Sequence, residues 1–255
     1  KLWHRPVLQN LGDVAVAVDY MDQATFVQEV SVLLGLTHAS PKLCLYKAHG
    51  FANVNGDGLR GFIAMKLIAG MSMNERFHNA GAPVTMLMVW KWAKQLAVLL
   101  AELHRTGLIH RDLKASNVMV SETDDLHLID FGCSLHSPMN KVVPAQQSQL
   151  QVGVFGYMAP EIFQGGCYGT PIDVFAYGVL LSKMLCHAKP LSMSAQWGHM
   201  LLSAPFELLP CAMKCSYDLY CHKILPNGSP RKLSSLVYQC CEHNADRRPT
   251  MANVC

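Results

Sequence analysis

Four polar side chains near the middle of the chain could share one reaction. Asp112, Lys114 and Asn117 fall within the run His110-Arg111-Asp112-Leu113-Lys114-Ala115-Ser116-Asn117, and Asp130 follows eighteen residues after Asp112 in Asp130-Phe131-Gly132. One aspartate and one asparagine suit magnesium, a hard cation that prefers oxygen ligands and retains several waters. A lysine two residues from a carboxylate adds a cation where negative charge gathers. The plainer alternative is a set of turn-forming polar residues beside short strands. A third run, Ala159-Pro160-Glu161, lies further on.

In this order and at this spacing the three runs resemble the signature of eukaryotic protein kinases: catalytic loop, metal-binding triplet and end of the activation segment. The resemblance extends over nearly the whole chain. It implies transfer of the γ-phosphoryl of ATP to a protein hydroxyl, a reaction that needs positioning and charge neutralisation more than covalent chemistry. Asp112 is then expected to orient the substrate hydroxyl, and Lys114 to meet the transferring phosphoryl. Asn117 and Asp130 are expected to hold Mg2+. ATP is expected to lie against Ala15, Met119, the gatekeeper Met65 and the backbone of Lys66, Leu67 and Ile68. Lysine two residues after the catalytic aspartate is the serine/threonine pattern, so the expected partner is a protein substrate with a Ser/Thr hydroxyl.

The same resemblance assigns structural and regulatory parts. Glu29 takes the place of the small-lobe ion-pair glutamate. Leu33, His110 and Phe131 belong to an internal apolar column, and Gly132 completes the triplet. Asp173 is expected to hold the catalytic loop, and Arg248 to pair with Glu161. Arg111 implies regulation through a phosphorylated activation segment. Ser134, Ser137 and Ser148 lie in that stretch, and Ser148 is the expected phosphosite, because a phosphoserine supplies acceptors for Arg111.

Three departures from the family pattern bear on activity. The strand that should carry an ATP-anchoring lysine reads Val14-Ala15-Val16-Ala17-Val18-Asp19, and its Ala15, Ala17, Asp19 face holds no lysine. Glu29 therefore lacks its expected partner, and the phosphates lose a charge-assisted contact of about 1.5–3 kcal/mol. No G-x-G-x-x-G run is present, and Val154 replaces the usual threonine hydroxyl of the activation segment. Three readings follow: an active kinase with a substitute lysine, for which Lys1 and Lys47 are the candidates; a pseudokinase that binds nucleotide or acts as a scaffold; or a degraded kinase sequence.

The elements needed to position these residues are legible in outline. Val14, Val16 and Val18 alternate as in a strand. Phe26 to Leu36 has helical spacing, and Asn55-Gly56-Asp57-Gly58 is a hairpin turn before an apolar strand at Phe62 to Leu67. Beyond Pro83, Val89, Ala93, Leu96, Ala97, Leu100 and Leu103 form one helical stripe, stopped by Gly107. Asn117 to Val120 and Leu126 to Ile129 read as strands, and Asp173 to Cys186 as a buried helix. Lys141 to Leu150 and Leu225 to Leu233 read as loops, and the long stretch Leu201 to Lys232 as a docking insert. The expected fold class is α+β and bilobal: a small antiparallel sheet lobe with one helix, residues 1–69 including the junction, and a larger, mainly helical lobe, residues 70–255. Both ends of this single domain, 1–255, read as cut, with Lys1-Leu2-Trp3 as a further strand.

Composition excludes several other classes. With 51% hydrophobic and 15% charged residues, the 255-residue chain is not a disordered polyelectrolyte. Its net charge of +3 is too small to argue for nucleic acid. No apolar run reaches the roughly 18 residues of a membrane span, and no signal-peptide pattern opens the sequence, so an intracellular, cytoplasmic protein is expected. The ten cysteines are scattered. Those near Cys211, Cys215 and Cys221 lack zinc spacing, so reduced structural thiols are expected.

Overall fold

The valine alternation at Val14–Asp19 does produce a strand (β2), and its partners are decided by the rest of the chain. Leu2–His4 (β1) pairs with it antiparallel on one side and Leu59–Lys66 (β4) on the other, with Tyr46–Asn53 (β3) outermost, giving the sheet order β1-β2-β4-β3. The computed structural model describes residues 2–4, 14–19, 23–40, 43, 45–53, 59–79, 83–137, 143–144, 155–163, 167–187 and 230–255. Residues 55–58 lie outside that set, but Asn53 pairs with Leu59 across them, as the turn dipeptides predict.

Gln23–Ala39 forms the helix of this lobe (α1) and buries Phe26, Val30, Leu33 and Leu36. Glycine at position 61 of β4 permits the contact, since a Cβ there would stand 2.7 Å from the Phe26 ring. The helix reaches three residues beyond each end of the span read from the sequence.

After β4 the chain crosses residues 67–69 into Gly70–Ser72 (β5) and a short helix, Met73–His78 (α2). Ser72 and Glu75 form a reciprocal capping box at its start, the Ser-x-x-Glu pattern of a helix N-terminus. Met86–Arg105 (α3) follows with the predicted stripe buried, and Gly107 takes φ of 77° just past its end. Pro171–His187 (α5), which follows the one-turn helix Pro160–Phe163 (α4), is buried along nearly its whole length. Its Tyr177 hydroxyl donates to the Ala93 carbonyl of α3 at 3.1 Å. Arg231–Cys240 (α6) lies close on α5, because any Cβ at Gly178 would meet Cys240 and Cys241 at 2.7 Å. Met251–Val254 (α7) packs on α3.

Two stretches read as loops differ. Val143–Pro144 (β10) pairs with Cys167–Tyr168 (β11), a two-residue ladder with no local pattern to announce it. Arg231 to Leu233 begin α6 directly after Pro230. Most of the stretch read as an insert, 201–229, lies outside the described residues, as do Cys211, Cys215 and Cys221. Cys133, Cys186, Cys240, Cys241 and Cys255 form no disulfide. Among the described residues no helix is long and apolar enough to cross a membrane.

Arg248 pins the C-terminal part of the larger lobe. Its guanidinium donates to both Glu161 oxygens at 2.6 and 2.8 Å and to the Pro171 and Glu242 carbonyls. The guanidinium is fully enclosed, so a lone partner would be left charged and dehydrated. Arg248→Met is expected to cost about 3–5 kcal/mol of unfolding free energy, read from urea denaturation; a loss below about 1 kcal/mol would mean that the pair is energetically idle.

Candidate active site

Two short pairings bring the polar residues of the sequence motifs together. Leu108–Ile109 (β6) pairs with Leu135–His136 (β9), which fastens the entry of the 110–117 segment to the chain just beyond Gly132. Val118–Ser121 (β7) pairs with Leu126–Leu128 (β8), and the Ile129 amide continues the ladder by donating to the Asn117 carbonyl at 3.0 Å. Asp130 therefore emerges beside Asn117. It does so at φ 65°, a left-handed conformation that aspartate tolerates better than most residues.

Asp112 is buried, and its Oδ2 accepts from Lys114 Nζ at 2.5 Å and from Asn117 Nδ2 at 3.0 Å. Asn117 Nδ2 also donates to the Asp112 backbone carbonyl at 2.9 Å. Two consequences follow. One carboxylate oxygen of Asp112 is saturated, leaving Oδ1 to accept a further proton. Both donor bonds of the Asn117 amide are spent on Asp112, which leaves its carbonyl oxygen, the end a hard cation takes. The Asp130 backbone follows directly on the Ile129–Asn117 bond, and an amide oxygen and a carboxylate are ligand types that fit magnesium.

The loop carrying Asp112 is held from below by one carboxylate. Asp173, at the start of α5, accepts from the His110 amide at 2.8 Å, the Arg111 amide at 3.0 Å and His104 Nε2 at 2.9 Å. Arg111 has φ of 66°, a conformation costing a non-glycine residue about 1–3 kcal/mol. The paired amide bonds to Asp173 keep it there. Burial, the largest influence on Asp173, acts to raise its pKa; the His104 hydrogen bond and charge, the His110 charge and the His110 amide together outweigh it, and the net shift is downward.

Above the loop, the His110 ring packs on Phe131 with centroids 5.3 Å apart, and Leu33 of α1 is buried in the same core. Among the described residues neither His110 ring nitrogen finds a hydrogen-bond partner, and the ring is held by its packing on Phe131. Gln28 of α1 donates to the Ser134 carbonyl at 2.8 Å, tying the small-lobe helix to the segment after Gly132. Its neighbour Glu29 is buried and engaged by a polar or electrostatic interaction, so the expectation that it stands without a partner is corrected. Sequence reasoning looked only for the family's lysine.

The remaining expected residues are placed as follows. Ala15 pairs in register with Met65 and Val14 with Lys66, next to the crossing at 67–69 that includes Leu67 and Ile68. Met119 lies in β7, opposite Ser72. Lys47 is exposed on the outermost strand, with β4 between it and β2. Arg111 donates to the Cys133 carbonyl at 2.6 Å and to the Tyr168 hydroxyl at 2.7 Å. Ser134 and Ser137 are buried. Lys1, Ser148 and Val154 lie outside the described residues.

Residues that sequence reasoning passed over also shape the site. His104 is the last-turn basic residue of α3. Tyr157, two residues before Ala159, is buried and accepts from the Ala115 amide at 3.3 Å; burial pushes its hydroxyl up to about 12, against the smaller opposing effect of that bond. Only the hydroxyl's distant partner reveals its role.

Comparison with known proteins identifies the family. The model of the protein kinase domain matches residues 16–255. A probable LIM domain-containing serine/threonine-protein kinase of Dictyostelium discoideum is 27% identical over 194 residues, 76% of this chain and 27% of that protein. A probable serine/threonine-protein kinase of Plasmodium falciparum is 30% identical over 192 residues, 73% of this chain and 34% of that protein. The chain belongs to the protein kinase family, with serine/threonine kinases as its relatives. It spans about a quarter to a third of the length of those two proteins.

Asp173→Asn is expected to loosen the loop without removing a reacting group, so the His110 and Arg111 amides should exchange hydrogen faster. Because the folded pKa of Asp173 lies below its ordinary value of about 3.9, its contribution is complete above that value and fades as pH falls through the folded one. The parent's stability advantage over the variant should therefore shrink in acid; an advantage constant from neutral pH to pH about 2 would contradict this role.

Proposed function

We propose that this chain is an ATP-dependent serine/threonine protein kinase domain whose transfer step is organised by Asp112. The reading is carried by one observation: Asp112 Oδ2 is saturated by Lys114 and Asn117, so a single carboxylate oxygen is left to receive a proton. In this reading Oδ1 accepts the hydrogen bond of a Ser/Thr hydroxyl and aims its oxygen for in-line attack. Lys114 hydrogen-bonds Asp112 and presents a cation beside the group being transferred. Asn117 and Asp130 hold Mg2+, which when bound neutralises the triphosphate charge. Met65, Lys66, Leu67, Ile68, Ala15 and Met119 line the adenine side. With Ser134 and Ser137 buried, Ser148 is the serine of the activation segment proposed for phosphorylation.

A second reading, a pseudokinase that binds nucleotide or partners without turnover, is favoured by the absence of lysine from β2. The pairing of Ala15 with Met65 makes Ala17 the residue two further along that face, opposite Ile63. On this reading position 17 takes the place of the missing lysine.

Two measurements separate these readings. Transfer of labelled phosphoryl from ATP to a generic protein substrate should fall about 100-fold or more in Asp112→Asn; a variant as active as its parent would assign the signal to a contaminant. Ala17→Lys should tighten Mg-ATP binding by about tenfold, the equivalent of one charge-assisted hydrogen bond, read by thermal shift. No gain there, together with no transfer by the parent, would favour the pseudokinase.

A further inference from the structure

Helix α5 carries a lysine that neither the core nor the transfer step explains. Lys183 is partly buried, and its ammonium lies 4.1 Å from the centre of the Tyr157 ring. Tyr157 meets the Ala115 amide and, with Arg111, Asp112 and Leu113, lines a small cleft beside the catalytic loop. One aromatic ring therefore separates Lys183 from the segment bearing Asp112.

Lys183 is not alone. His187, four residues on and on the same face of α5, stacks on Phe77 with centroids 4.4 Å and planes 4° apart. His78 of α2 stands 6.0 Å from the same imidazole. Among the described residues no carboxylate pairs with any of the three. The groups facing one another are all cationic or neutral: Lys183, His187, His78, the Cys186 thiol and the Tyr157 hydroxyl. Burial, partly offset by Cys186, lowers Lys183 to about 8; burial, then the charges of His78 and Lys183, lower His187. A helix C-terminus welcomes cations and the Tyr157 ring adds a cation–π contact. Both effects still leave the cluster opposing its own charging, which an incoming anion would relieve.

We propose that Lys183, backed by His187 and His78, recognises an anionic side chain, a carboxylate or a phosphoryl group, of the protein substrate whose hydroxyl is offered to Asp112. This rests on the kinase reading and supplies its substrate class: acidic or previously phosphorylated segments. The recognition is electrostatic and loses strength in high salt.

Four labelled peptides with one central serine, flanked by glutamate, phosphoserine, alanine or lysine, test this by fluorescence anisotropy. The glutamate and phosphoserine peptides should bind the parent about tenfold more tightly than the other two. Comparing the first two separates a carboxylate from a phosphoryl preference. Lys183→Glu should reverse the order, and Lys183→Met should level it. His78→Glu, at an exposed position, should weaken acidic-peptide binding even if the α5 variants fail to fold. Equal binding of all four peptides by the parent overturns the inference, as does an acidic preference that survives Lys183→Glu or His78→Glu in folded protein. Phosphoryl transfer measured in parallel keeps the two claims apart: selective, Lys183-dependent binding without transfer sinks only the catalytic reading.

Discussion

The site depends on a buried negative charge. Asp173 is 1% exposed, and an isolated carboxylate so placed would carry a desolvation penalty of several kcal/mol. It stays ionised because two backbone amides and an imidazole are all pointed at it. That requirement runs in both directions. The amides satisfy the carboxylate, and the carboxylate holds Arg111 in a left-handed conformation that the residue would otherwise leave. Asp112 is the next residue, so the strain absorbed at Arg111 fixes where the Asp112 carboxylate points.

Helix α5 is the fixed body on which these anchors sit. It supplies Asp173 near its start, accepts Arg248 at its first carbonyl, and meets α3, α6 and the Tyr157 turn along its length. The Arg248 guanidinium also lies 5.1 Å from the centre of the Phe175 ring. An apolar helix suits this task because its position is set by packing on every side rather than by one solvated face. Polar groups placed on such a helix inherit its rigidity.

Among the described residues, polar contacts tie the small lobe to the site. Gln28 reaches the Ser134 carbonyl, and Arg105 reaches the Ala39 carbonyl at the end of α1. Arg111 extends the other way, through the Tyr168 hydroxyl, to the β10–β11 ladder. The segment after Gly132 is therefore gripped from both lobes. In the family pattern an ion pair between Glu29 and a lysine adds to this grip. With alanine at position 17, the hydrogen bond from the neighbouring Gln28 is a visible tie between α1 and that segment.

The sequence by itself determined the elements with strong periodicity and the motifs with fixed local spacing. The α3 stripe, the all-apolar α5 and the β7–β8 hairpin beside Asn117 were legible, because residue type and near-neighbour spacing dictate them; the Glu161–Arg248 partnership, 87 residues apart, was expected only from the resemblance to protein kinases. The capping box at Ser72 and Glu75 was legible too and was passed over. Only the tertiary structure decided the register of β2 against β4, the two-residue ladder at Val143–Pro144, the His104 contact to Asp173, and the gathering of Lys183, His187 and His78. Each of these joins residues far apart in the chain or on different elements. Local propensity carries no record of such a meeting, since the free energy that makes it is gained only when the packed core brings both partners out of water together.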